Sequence, residues 1–362
     1  MSARRRLLAP VLAPVLAPVL AFAALATILV SAPAPASAGG GGDFWQALAR
    51  DPEQEVAQRE YDARMLEGDS NIDFAVAEVQ VPSRRKKYLE NAITAYELAA
   101  RARPDMAEPH FRAAAALHAF YIECSTGEGA ALCRVTGANP INQQRQMERI
   151  IRHWDAFEAK APRDPRLVDD IFFERAILHT KISTPEHLAL ARDDYKKLLA
   201  RGSIKHSRYG ALASGNLAET EMMLGDLDAA IIQYRRTLEL SQSVSLYFGL
   251  AVALDRDEQG HLARSLLGTF GLSGVRTLEE QITRREVFYV PEGEAYYYLA
   301  LGYEAIGVDE VALRYYDLFL ATGAHPQFAP RARANRAAIV ERRSKRPPVD
   351  LRQRPDYGRP TP

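Results

Sequence analysis

The sequence predicts an all-α chain built from repeated helical pairs. Three observations carry this. A motif of alternating large and small residues recurs three times in the C-terminal half. A shorter signature, suited to the second helix of a pair, recurs three times before it. The 362 residues are 47% hydrophobic and 25% charged, an ordinary composition for a chain with a real core. A generic amphipathic bundle needs apolar stripes, but not the same residues in the same order at near-constant spacing.

The chain opens with Arg4, Arg5 and Arg6, then an apolar stretch from Leu7 to Val30 broken by Pro10, Pro14 and Pro18. Ser31 to Ala38 is small and Pro-rich, ending Ala36-Ser37-Ala38. Basic start, apolar middle and small-residue end are the three parts of a secretory signal peptide, so residues 1–38 are expected to be removed between Ala38 and Gly39. An uncleaved anchor is the competing reading, because the apolar stretch is long enough to span a bilayer. Three prolines and the small-residue site favour cleavage, leaving no stable membrane anchor. The first cysteine, Cys124, lies far from the signal, which argues against a lipid-anchored lipoprotein. Arg-, Ala- and Pro-rich usage looks bacterial, so the expected location is periplasmic or secreted. Residues 39–44 form a Gly-rich linker, and residues 45–343 are expected to be helical.

Within 45–343, the second-helix signatures read Ala92-Tyr96-Ala99, Ile150-Trp154-Phe157 and Ala191-Tyr195-Leu198. Leading helices fit before them at Glu53 to Leu66, Ala107 to Tyr121 and Leu167 to Ile182. The clearest repeats are 211–243, 244–277 and 293–326. The last reads Tyr296, Leu299-Ala300, Tyr303, Gly307, Ala312, Tyr316 and Phe319. Small Ala300 and Ala312 suit the crossing of two helices, the aromatics fill the space around it, and Gly307 suits a turn with positive φ. Leu217-Ala218, Gly225, Ala230, Tyr234 and Leu238 repeat the pattern, with Ser214 and Glu221 at usually bulky positions. Tyr247, Leu250-Ala251, Leu254, Ala263, Leu267 and Phe270 repeat it again, with Glu258 at the turn glycine.

These units resemble the tetratricopeptide repeat, a helix–turn–helix of about 34 residues. The resemblance implies a right-handed superhelix of about six pairs, with a C-terminal capping helix over Phe328 to Arg343. Anchor spacings of 58 and 49 residues locate insertions near Ile122 to Asn142 and Gly271 to Glu292. Residues 344–362 form a Pro- and Arg-rich tail with little to bury, expected to be disordered. Cys124 and Cys133 flank a turn-forming stretch in the first insertion, and a disulfide between them is expected in an exported chain.

The search for chemistry returns no phosphate-binding loop, no His-Glu-x-x-His and no Gly-x-Ser-x-Gly. Ser83-Arg-Arg-Lys86 matches Ser-x-x-Lys without its companion motifs, and Ser83 reads as the N-cap of a helix starting near Arg84. His110 and His118 share a helix face, but a metal site would need a third ligand from elsewhere. No catalytic residue, cofactor or metal is therefore assigned, and the chain is not expected to be an enzyme. Without residues 1–38 the charge balance is −3, which excludes the basic footprint of a nucleic-acid binder.

The resemblance implies a scaffold whose concave groove takes a protein or peptide partner and no small-molecule substrate. Projected onto this chain, the groove is lined by Phe111 and Ala115, Asn216 and Glu219, Phe248, Val252 and Asp255, and Tyr297, Leu301 and Glu304. Only Asn216 matches the Lys and Asn set that clamps a C-terminal carboxylate in one branch of the family, so an apolar or helical segment is the expected ligand. The function expected is a periplasmic scaffold or adaptor in outer-membrane biogenesis, secretion or pilus assembly, motility or cell-wall machinery. The alternative is an accessory subunit of a cell-wall enzyme, or a helical cell-wall hydrolase.

Overall fold

The computed structural model describes residues 51–78, 81–121, 140–167, 171–200, 208–284, 287, 291 and 293–345, and among them are fourteen α-helices and no strand. The signal segment, the Gly-rich linker, Cys124, Cys133 and most of the Pro/Arg-rich tail lie outside the described residues. The chain divides into two compact units, residues 1–119 and 120–362.

In the first unit, α1 (Pro52–Ala77) packs along α2 (Pro82–Ala102), and α3 (Glu108–Tyr121) follows. The Asp51 carboxylate accepts from the Glu53 amide at 3.0 Å, and Pro52 occupies a first-turn position where no N–H is needed. The sequence places the first helix at Glu53 to Leu66, but it runs on to Ala77. Ala92, Tyr96 and Ala99 are buried on α2, as second-helix anchors should be. Gly68 of α1 lies against the Tyr96 ring, so closely that a Cβ there would fall 2.4 Å from a ring carbon. The Tyr96 hydroxyl donates to Asp69 at 2.7 Å. Ser83 is not an N-cap: α2 begins at Pro82, and Val81 holds the cap position without a side-chain hydrogen bond.

The second unit contains α4 (Pro140–Lys160), α5 (Phe172–Ile182), α6 (Pro185–Ala200), α7 (Arg208–Met223), α8 (Leu227–Leu240), α9 (Val244–Arg256), α10 (Gly260–Gly268), α11 (Gly271–Thr283), α12 (Glu294–Ala305), α13 (Asp309–Thr322), a 3-10 turn (Pro326–Phe328) and α14 (Ala329–Ser344). Helices α5–α6, α7–α8, α9–α10 and α12–α13 form pairs. Helices α6 and α8 also pack against the first helix of the next pair, and α5, α7, α9 and α12 touch in succession. This is the tetratricopeptide-like arrangement. Helices this short are marginal alone, so packing between pairs is what stabilises them. Ile150, Phe157, Ala191, Tyr195, Leu198, Ala230, Ala263, Ala312 and Tyr316 are all buried.

The turns inside the last three pairs share one geometry. Gly225 has φ 85° and Gly307 φ 75°, and Glu258 reaches φ 61° at the equivalent place. In each, an amide beyond the turn bonds back five residues: Asp226 to Glu221, Gln259 to Leu254 and Val308 to Tyr303, at 2.8–3.0 Å. These satisfy carbonyls that the helix end leaves unpaired. Ser214 and Glu221, the polar departures from the motif, find polar partners: Ser214 bonds Thr237 at 2.6 Å, and Glu221 pairs with Lys196 at 3.2 Å.

One feature departs from a uniform stack. The insertion at 271–292 contains α11, which packs against α9, α10 and α12 through buried Val275 and Leu278. This additional helix reverses the chain once more. Helices α7 and α9 touch, with Gly215 against Leu246. Along α9 and α12 the contacts run in opposite senses: Phe248 meets Gly302, Asp255 meets Tyr297, and Arg256 meets Glu294. Helix α12 is therefore antiparallel to α9.

Candidate functional site

The antiparallel docking of α12 decides where the projected groove residues go. Phe248, Val252, Asp255, Tyr297 and Leu301 are fully buried, and Glu219 and Glu304 nearly so. They do not form an open, partner-facing groove. In a uniform stack every first helix points the same way, and α12 does not. Its Tyr297 face turns onto α9, while α11 covers another side of both helices. Phe248, Val252 and Leu301 belong to one apolar cluster of the second unit. Phe111 and Ala115, in the first unit, and Asn216 are half-buried.

The polar members of the projected set, and others that sequence reasoning missed, form a buried row. Asp255 accepts from the Tyr297 hydroxyl at 2.6 Å, from Asn335 Nδ2 at 2.7 Å and from Arg331 Nη2 at 2.8 Å. Glu219 Oε2 accepts from Tyr234 and Tyr298, both at 2.5 Å. Arg256 pairs with Glu294 at 2.5 Å, and His325 Nδ1 lies 2.9 Å from the other Glu294 oxygen. Tyr316 donates to Glu304 at 2.9 Å, with Arg264 3.4 Å from the same carboxylate. The Arg256 guanidinium stands 4.6 Å over the Tyr297 ring and 3.9 Å over the Phe328 ring, an aromatic sandwich for a desolvated cation.

The electrostatics follow from burial and neighbours. Burial, reinforced by the like charge of Glu294, raises the Glu219 pKa above its usual range despite two tyrosine hydrogen bonds. Burial also opposes charge on Glu294, but the Arg256 cation and the His325 hydrogen bond outweigh it, and its pKa is lowered. Burial raises Tyr297 and Tyr316 well above the ordinary phenol value, so both donate as neutral hydroxyls. Several buried atoms have no hydrogen-bond partner within the protein: Glu219 Oε1, Arg256 Nε and Nη1, His325 Nε2 and Arg331 Nε. The arrangement ties α9 and α12 to the C-terminal segment through directional donors and acceptors within the chain.

A signal for this row exists in the sequence. Asp255 and Arg256 close an otherwise apolar run in α9, and such charges are rarely buried unless paired. The same signal applies to Arg175, which is buried and bonds Asp194, Asp155 and Glu158 at 2.6–2.9 Å. It ties α5 to α4 and α6. Among the described residues no cluster of His, Cys, Asp and Glu could hold a metal, and no helix is long and apolar enough to cross a membrane.

No family model matches this chain, and no curated protein does. Among solved structures it is similar to the crystal structure of MamA protein, at 15% identity over 62% of this chain and 98% of that one, with a TM-score of 0.38. It is also similar to the P58(IPK) TPR domain, at 11% identity over 81% of this chain and 99% of that one, with a TM-score of 0.26. Neither similarity bears on what this chain binds.

Proposed function

We propose that the mature chain is an exported scaffold or adaptor that holds a protein partner in a bacterial cell-envelope assembly. The observation that supports it best is the stack of helical pairs, in which α5, α7, α9 and α12 touch in succession. Repeats of this kind create extended surfaces for polypeptide segments. The basic, apolar and small-residue order of residues 1–38 supports export and a periplasmic setting. With most projected groove residues buried, the surface open to a partner lies on the earlier helices. Leu212, 41% exposed on α7, marks it.

A photo-crosslinking amino acid at Leu212, introduced into the full chain in envelope-bearing cells, tests the reading. One protein captured at near-stoichiometric yield, and lost when the probe moves to the opposite face of α7, supports it. No capture, or turnover of cell-wall material by the purified protein, overturns it. N-terminal sequencing of the exported material should begin at Gly39; Met1 or Ser2 there would contradict the cleavage.

A further inference from the structure

The C-terminal segment His325 to Asn335 runs across three first helices of the second unit. Gln327 donates to the carbonyl of Met223 at the end of α7. Phe328 lies on the Arg256 guanidinium and Arg331 and Asn335 bond Asp255, both at the end of α9. His325 engages Glu294 at the start of α12. A short polypeptide that reads successive first helices through directional contacts is what a repeat array offers a partner.

The way the segment is held differs from the way the pairs hold each other. Helix α14 buries only Ala332, Asn335 and Ile339. Its other attachments are charged: Arg331 to Asp255, Arg336 to Asp317 at 2.6 Å and Arg342 to Asp309 at 2.5 Å. Of these, Arg336–Asp317 is exposed on both sides, and a pair of that kind exchanges for water at little cost and weakens in salt, whereas Asp255 and Asp309 are buried. The fit also leaves hydrogen-bonding capacity unused, since Arg256 Nε and Nη1, His325 Nε2 and Arg331 Nε are buried without partners in the protein. Gly323 (φ 68°) and His325 (φ 42°) place two left-handed residues where the chain leaves α13 and turns.

We infer that the segment from the 3-10 turn through α14 is an exchangeable ligand held in cis, which occupies a binding site for a basic, aromatic-bearing segment of a partner protein. The site asks for an aromatic side chain against Arg256 and a cationic or amide donor to Asp255, as Phe328, Arg331 and Asn335 supply. Its existence as a site is independent of the envelope role; only the partner's cellular identity rests on the scaffold reading.

The probe is a synthetic peptide spanning His325 to Lys345, labelled and titrated into the full chain. In the parent the cis segment competes at an effective concentration of roughly millimolar, so micromolar peptide should not bind. The double variant Arg331→Ala, Asn335→Ala loosens the cis segment and should bind the unmodified peptide at least ~10-fold more tightly than the parent does, because the open fraction rises. A peptide carrying both alanines should not bind it. In the parent, amide exchange should be faster in α14 than in α13, and faster still in high salt. Equal binding to parent and variant, no binding to a variant that keeps its helix content, or α14 exchanging no faster than α13 would each overturn the inference. Binding of the peptide with no envelope partner captured at Leu212 would leave this site standing and remove the scaffold reading alone.

Discussion

At the scale of single residues, buried polar side chains set both stability and its pH dependence. His179 is buried in α5, with its Nδ1 2.7 Å from that of His187 in the first turn of α6. Burial, then the His187 and Arg175 charges, push its pKa down to about 3. The unfolded chain therefore binds a proton, near the ordinary 6.5, that the folded chain refuses. The stabilising contribution is complete above 6.5 and is lost as pH falls toward 3, by about 2 kcal/mol at pH 5. Denaturant midpoints between pH 7 and pH 4.5 should fall less steeply for His179→Gln than for the parent; parallel curves would show that His179 is not the group responsible. Tyr297 offers a second test. Tyr297→Phe keeps the ring among Arg256, Tyr316 and Phe319 but removes the bond to Asp255, costing about 1.5–3 kcal/mol for a hydrogen bond to a charge. Tyr297→Ala also opens a cavity and should cost about 3–5 kcal/mol. Urea unfolding of both variants should keep that order, and a Phe variant as stable as the parent would mean that Asp255 does not need the hydroxyl.

At the scale of helices, close crossings are the sensitive points. The Tyr96 ring facing Gly68 is buried and anchored at its hydroxyl by Asp69, so it has little room to move. Gly68→Ala should destabilise the first unit by about 1–3 kcal/mol through overpacking, even though alanine favours a helix. Thermal melting of that variant at or above the parent temperature would show that α1 can shift away. The small-then-aromatic signature was legible because a crossing fixes both residue sizes at once, which is why Ala92-Tyr96 and Ala312-Tyr316 stood out. Helix α11 was passed over because Gly271 and Gly274 weaken its start, although Val275, Leu278 and Ile282 carry helical spacing. The direction of α12 was not legible. Its motif is the same whichever way the helix points, so local pattern located the pair and misplaced the exposed face of Tyr297, Leu301 and Glu304. Only the number of chain reversals between α9 and α12 determines direction, and that number hung on α11.

At the scale of the molecule, two compact units imply two separable losses of structure. Ala312 is fully buried on α13, and Ala312→Arg should cost several kcal/mol in the second unit. Gly68→Ala should move only the denaturant transition of the first unit and Ala312→Arg only that of the second; coincident shifts in both variants would mean that the chain unfolds as one. An array of identically directed pairs has open ends, and a gene can lengthen it by copying one pair beside another. This chain has given up that freedom at its C-terminal end. Once α12 lies antiparallel to α9 and the segment His325 to Asn335 returns to Met223, Asp255 and Glu294, the described first-helix ends on which a further pair would dock are already engaged. Growth or shrinkage of such a protein by repeat duplication would have to take place before α9, leaving the last six helices to be inherited as a block.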